Sequence, residues 1–548
     1  MNAEQQMELR RKVAELLVVR ASGHALDSLR EYPSWELSNQ ELENLLREGV
    51  GGVIFYGGTV NEIQERTAKL RSFANESLLF CADVEEGVGQ RFDGGSFLPP
   101  PMALGLGYLK DPESSLELAE EYGKCVGDQA RRCGLNWVLA PVCDVNSNPL
   151  NPVINMRAWG SDPEVASVLA CAFHRGIVSQ GVMSCAKHFP GHGDTRVDSH
   201  LELPILDKDF QGLEQLELIP FQSLIDAGVS SVMSAHVLFR KIDRKSLATF
   251  SSKFLVKLLR KKMGFEGLVV TDALLMKAIS DRYDSGEAAV LAFEAGADLL
   301  LMPSEPYKAL NALVEAFLIG RIPLRRLDES LERRRKAIFQ LDKSSSNQFQ
   351  KEDLLETHNF VKAKDISLVH RLVDVSIQIK NPHRITRSGD LVNLIKIDGV
   401  LPCSQLCNSS PALIIPQQCG YKNIICHPLG VSPWQDSQEE PLALDRLGRG
   451  PYLLQLFVRG NPFRGDQDMK EPWIAVVEQL QKGKLLSGLI VYGSMYFWEK
   501  LLTVLEPLIP AAYSPGQIPE AQEKILTALF AQSKGKNISR NNSLEFTN

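Results

Sequence analysis

Over the first 340 residues, short apolar runs alternate with longer amphipathic segments. The runs fall at 16–19, 52–55, 78–81, 137–139, 182–186, 231–234, 268–270 and 299–302, each short enough to be a strand buried on both faces. Between them the apolar spacing is helical: Leu116, Tyr122 and Val126 fall close to one face of the segment that ends at Gly134. Asp162-Pro163-Glu164 supplies a cap, a proline at the first helical position and an acid in the first turn. Strand and helix alternating eight times predict an α/β fold, a TIM-type (β/α)8 barrel.

The pattern breaks near residue 343, where Lys343-Ser344-Ser345-Ser346-Asn347-Gln348 has no apolar period and reads as a linker. A helical stretch over 351–373 follows. Strand-like runs at 391–397, 412–415, 452–458 and 489–492 then alternate with helical patterns at 473–481 and 519–530. These predict a smaller α/β sandwich domain. The expected organisation is a barrel over 1–340, a linker and connecting helix over 341–358, the sandwich over 359–535 and a disordered tail over 536–548.

Charge narrows the function. Lys and Arg total 60 against 67 Asp and Glu, a formal net charge of −7, which gives no general attraction to nucleic acid or an anionic membrane. No apolar run has the length of a membrane span. The first 17 residues mix acids with bases and lack the apolar centre of an export signal, so a cytoplasmic protein is expected. Ten scattered cysteines without a CxxC pair fit reduced thiols. No glycine-rich phosphate loop occurs after the barrel strands.

In such a barrel, residues following different strands converge on one rim. The third run is followed by Asp83, Glu85, Glu86 and Arg91, the fourth by Asp144, Asn155 and Arg157, the sixth by His236, and the seventh by Asp272. The fifth leads into Lys187–His200, KHFPGHGDTRVDSH, which holds three of the chain's ten histidines. Carboxylates and imidazoles gathered at one rim suit acetal cleavage, where an acid protonates the leaving oxygen and a carboxylate traps the sugar. Asp272 can be that nucleophile or equally a helix cap. Asp198 and His200 can form a carboxylate-assisted imidazole that moves a proton, or a plain polar turn. His188, His192 and His200, with Asp194 and Asp198, could instead ligate a metal. That reading lacks HxH or HExxH spacing and has Lys187 beside it.

The stretch KHFPGHGDTRVDSH resembles the signature of family 3 glycoside hydrolases of the β-N-acetylglucosaminidase type. Supporting matches are GGVIFYGG, ADVEEGVGQRF, APVCDV, RAWGSDP, MSAHV and GFEGLVVTDALLMKAI across the barrel, and more weakly VYGSMYFWEKLL and AAYSPGQIPEAQEKILTALF beyond it. The resemblance implies a retaining exo-enzyme removing terminal β-linked GlcNAc, with muropeptides of peptidoglycan recycling as substrate. It implies Asp272 as nucleophile, His200 with Asp198 as acid/base, and Asp83, Arg91, Arg157, Lys187 and His188 as sugar-binding residues. It implies no metal or other cofactor, a small carbohydrate as partner and a monomer; the second domain becomes structural or a partner surface. Within Lys187–His200, Pro190-Gly191-His192-Gly193 reads as a hinge. Alternatives are a family 3 β-glucosidase, a β-N-acetylglucosaminide phosphorylase, or a sugar-binding barrel without catalysis. The sequence departs from the family pattern at Val84, Glu86 and Val88 and at Asn155-Met156, beside the sugar subsite.

Overall fold

The computed structural model describes every residue except 75–76, 200, 347–359, 383–384, 386–388, 399–402, 404, 431, 449, 460–470 and 532–548. By packing, the chain forms two units. The first comprises Met1–Ser376 with Arg459–Glu471, the second Ile377–Val458 with Pro472–Asn548.

The first unit is built on eight parallel strands: β1 (Leu17–Ser22), β2 (Gly52–Tyr56), β3 (Leu79–Ala82), β4 (Trp137–Val138), β5 (Cys185–Phe189), β6 (Ser231–Ser234), β7 (Leu268–Thr271) and β8 (Leu300–Leu301). Two ladders, β8-β1-β2-β3-β4 and β5-β6-β7, are joined by isolated parallel bridges, Trp137 to Met183 and Val142 to Lys187 on one side and Val270 to Leu299 on the other. The ring therefore closes. Its interior is filled by alternate residues of successive strands, including Val18, Ile54, Leu79, Trp137, Cys185, Met233, Leu268, Val270 and Leu299. The indole Nε1–H of Trp137 is satisfied there, donating to Ser231 Oγ at 2.9 Å.

Helices complete the units for legible reasons. Pro163–Val178 begins where expected, with the Asp162 side chain accepting from the amides of Glu164 and Val165. The fifth strand lies further along than its apolar run: β5 starts at Cys185 and carries Lys187 and His188 within it. Apolar content could not show this, because both side chains are buried through polar partners.

The boundary between units also differs from the expected position. The helix Ala363–Ser376 packs with Met102–Tyr108 and Pro112–Arg132 of the first unit. Lys362 pairs with Asp128, and Arg132 donates to the carbonyl of Phe360. The stretch read as a helix-poor linker begins inside the helix Leu324–Ser346; 347–359 and the 536–548 tail lie outside the described residues.

In the second unit, β9 (Gln378–Lys380), β10 (Val392–Ile397), β11 (Lys422–Cys426), β12 (Tyr452–Val458), β13 (Leu486–Gly493) and β14 (Ala511–Ser514) form a sheet ordered β9-β14-β13-β12-β10-β11. All neighbours are parallel except β9 with β14. The run at 412–415, expected as a strand, belongs to the helix Pro411–Gln418. Pro411 sits at its first turn, where a missing amide costs nothing. No helix among the described residues is long and apolar enough to cross a membrane.

Candidate active site

A cavity of about 600 Å3 opens in the barrel unit, lined by residues within or just after the barrel strands and by Arg157. Its volume lies in the range of roughly 300–1,000 Å3 usual for small-molecule sites. Asp83, Arg91, Arg157, Lys187, His188 and Asp272 all reach it.

Lys187 is the centre of the floor. It is 1% exposed, and its Nζ lies 2.8 Å from Asp83 and 2.5 Å from Glu85. Arg157 grips the same Glu85 with two parallel bonds of 2.8 Å, and Arg91 Nε–H donates to the Asp83 carbonyl at 3.0 Å. The Tyr56 hydroxyl donates to the second Asp83 oxygen at 2.8 Å. Burial would raise the Asp83 carboxyl, but Lys187 and Arg91 outweigh it and hold it below its ordinary value. Burial acts on Glu85 likewise, and Arg157 and Lys187 hold that carboxyl well below the usual range. The cluster is thus two carboxylates and three cations, fixed before any ligand arrives.

His188 is set by a carboxylate that the motif does not contain. Its Nδ1–H donates to Asp144 Oδ2 at 2.7 Å, while Asp144 also accepts from the amides of His188 and His192. A neutral ring held this way carries its lone pair on Nε2. Asp144 is fully buried, which would raise its carboxyl, yet His188 brings it below its ordinary value.

The middle of the signature holds its own loop in place. His192 bonds Thr195 and Ser199 through its two ring nitrogens, and burial lowers its pKa to about 4. Asp194 pairs with Lys208. Asn151 ties the loop down by donating to the carbonyls of His192 and Gly193. Gly193 is closely packed: a methyl group added there would lie 1.7 Å from the carbonyl oxygen of Val145. Asp198 is buried, and His200 lies outside the described residues. Among the described residues no three His, Cys, Asp or Glu groups are arranged to hold a metal ion.

Asp272 follows β7 directly. Its amide donates to Ser234, and its Oδ1 accepts the Ala273 amide at 2.8 Å. The next helix, Lys277–Ser280, has Met276 at its N-cap, so Asp272 does not cap it. His236 steadies this turn from below: Nε2–H donates to the Ala273 carbonyl, and Nδ1 meets Thr249 Oγ1.

Residues 8–336 match the Glycosyl hydrolase family 3 N terminal domain, and 384–531 the Bacterial Glycosyl hydrolase family 3 C-terminal domain. The chain belongs to glycosyl hydrolase family 3. It is therefore a glycoside hydrolase. The beta-hexosaminidase of Chromobacterium violaceum is 36% identical over 301 residues, spanning 54% of this chain and 83% of that protein. A family 3 β-N-acetylglucosaminidase from Paenibacillus sp. str. FPU-7 has a similar structure, with TM-score 0.73 and 28% identity over 96% of this chain and 97% of that one. NagZ from Neisseria gonorrhoeae, solved with N-trifluoroacetyl-D-glucosamine, has TM-score 0.52 and 27% identity over 65% and 97% of the two chains.

Several residues at this family 3 site have roles that only the folded chain shows. Asp144 and Glu85 follow barrel strands and were legible as polar residues, but not as partners of His188, Arg157 and Lys187. Arg20, Tyr32 and Trp35 line the cavity with no motif to mark them, and Tyr56 lines it from within GGVIFYGG. Arg459, which also lines it, pairs with Glu86. One of the family departures is thereby given a partner some 370 residues away in sequence.

Proposed function

We propose that this enzyme is a retaining exo-β-N-acetylglucosaminidase that removes terminal GlcNAc, with muropeptides of peptidoglycan recycling in the cytoplasm as its substrates. The observation that carries the reading is Asp272, held at a strand end in the cavity that Asp83, Glu85, Arg157 and Lys187 floor. The GlcNAc preference is supported by the relatives, which are named beta-hexosaminidases.

In this reading the first step forms a bond between an Asp272 oxygen and the anomeric carbon as the glycosidic C–O bond breaks. His200, assisted by Asp198, gives its proton to the departing oxygen. In the second step water attacks the anomeric carbon, His200 takes a proton from it, and Asp272 leaves as carboxylate. The roles of His200 and Asp198 rest on the family signature. Asp83, Arg91, Arg157, Lys187 and His188 hold the sugar hydroxyls and acetamide, and their mutual ion pairs fix them in advance. No metal or organic cofactor enters either step.

A 2-fluoro glycosyl donor slows the second step and should leave a sugar covalently attached to the proteolytic peptide that contains Asp272. Mass spectrometry reads this directly, and a label on any other carboxylate would refute the assignment. Running the reaction with and without inorganic phosphate separates hydrolysis from phosphorolysis by product.

His200→Ala should slow cleavage by roughly 10²–10⁴-fold for sugar leaving groups. For nitrophenolate, which departs without a proton, the loss should be far smaller. Equal losses across leaving groups of different basicity would remove His200 from the proton-transfer role.

A further inference from the structure

Tyr32 and Trp35 line the same cavity as Asp272, yet they remain 46% and 41% exposed. Their rings are stacked on one another, with centroids 5.7 Å apart and planes 17° from parallel. Single exposed apolar side chains need no explanation, but a paired aromatic surface at the edge of a binding cavity does.

The pair stands on a rigid foundation. The Arg20 guanidinium lies 5.2 Å from the Tyr32 ring centre, 5.6 Å from that of Trp35 and 4.1 Å from that of Tyr56. Buried Glu36 pairs with Arg20 and accepts the Tyr32 amide at 3.2 Å. The amides of Trp35 and Glu36 both donate to the Tyr32 carbonyl at 2.9 Å. Tyr56, under the same guanidinium, reaches Asp83 through its hydroxyl. A continuous set of contacts therefore links the aromatic pair to the sugar-binding floor.

We infer that Tyr32 and Trp35 form the leaving-group subsite, a stacking platform for a second pyranose ring; the inference rests on the glycosidase reading above. The floor is charged and buried, which suits the hydroxyls and amide of the sugar being cleaved. The platform is apolar and stays in contact with solvent, which suits the part of the substrate that projects outward. A β-linked pyranose presents a face of C–H bonds, which pack on the electron-rich face of an aromatic ring. Two side chains with few rotatable bonds provide that surface at low entropic cost.

The test compares kcat/KM for a β-1,4-linked GlcNAc disaccharide with that for GlcNAc β-azide, whose three-atom leaving group cannot span a ring-sized subsite. Tyr32→Ala and Trp35→Ala should each lower the disaccharide-to-azide ratio tenfold or more, chiefly through KM, and Trp35→Phe should restore most of it. An unchanged ratio overturns the inference, whether both rates hold or both fall together. If the wild-type enzyme cleaves neither compound, the glycosidase reading is what fails. The platform is then judged by tryptophan emission as the disaccharide is titrated. A change in wild type that Trp35→Phe abolishes supports it, and no change overturns it.

Discussion

Asp272→Asn is expected to lower turnover on the order of 10⁴-fold or more, the scale seen when a nucleophile is removed from a site that otherwise stays intact. Asparagine keeps the shape of the side chain and an oxygen to accept the Ala273 amide, so the turn after β7 survives. What disappears is the anionic oxygen that bonds the anomeric carbon. Thermal stability and protection by GlcNAc should therefore remain near wild type while kcat on nitrophenyl β-GlcNAc collapses. A variant with ordinary turnover would show that the carboxylate in this cavity is not the nucleophile.

Glu85→Ala is expected to have the largest combined effect on stability and activity. It leaves Lys187 and Arg157 buried without the carboxylate that both share. Breaking a buried pair from one side costs about 3–5 kcal/mol, because the remaining charge stays desolvated. The chain should unfold at markedly lower denaturant concentration, and kcat/KM should fall because both cations lose their positions. Adding Lys187→Met to Glu85→Ala should return part of the stability but none of the activity. If the double variant were no more stable than the single one, stranded charge would not be the cause.

The same cluster sets a pH dependence with a definite sign. Glu85 is held well below its ordinary value in the folded enzyme, so near pH 4 the unfolded chain binds the proton more readily. Its contribution is complete above the unfolded value and is lost as pH falls through the folded one. Asp83, also lowered, acts in the same direction. Acid unfolding of the wild type should steepen below about pH 4, and Glu85→Gln should flatten that part of the curve.

Much of this enzyme was legible in order along the chain. Apolar runs located the eight strands, because strands buried on both faces are largely apolar, and only the fifth was displaced, by the buried Lys187 and His188 it carries. The Asp162 cap and the two long helices of the second unit followed from local rules. The run at 412–415 failed because four apolar residues fit a strand and a buried helix equally well, and Ser410-Pro411 was the signal that distinguished them. At the site, Asp83, Arg91, Arg157, Lys187, His188 and Asp272 share one cavity, as convergence of strand ends requires.

By itself the sequence determined the strand order, the barrel and the chemical types available at its rim, since these depend on local periodicity and on which residues follow each strand. Tertiary structure alone decided which of those residues act together. Glu85 became the shared counter-ion of Lys187 and Arg157, Asp144 the orienter of His188, and His192 a buried strut. Tyr32 and Trp35 became a surface of the cavity only because Arg20 and Glu36 hold their loop there. Most of these pairings join residues far apart in sequence, and the energies that fix them, desolvation against ion pairing, exist only once the chain has closed around them.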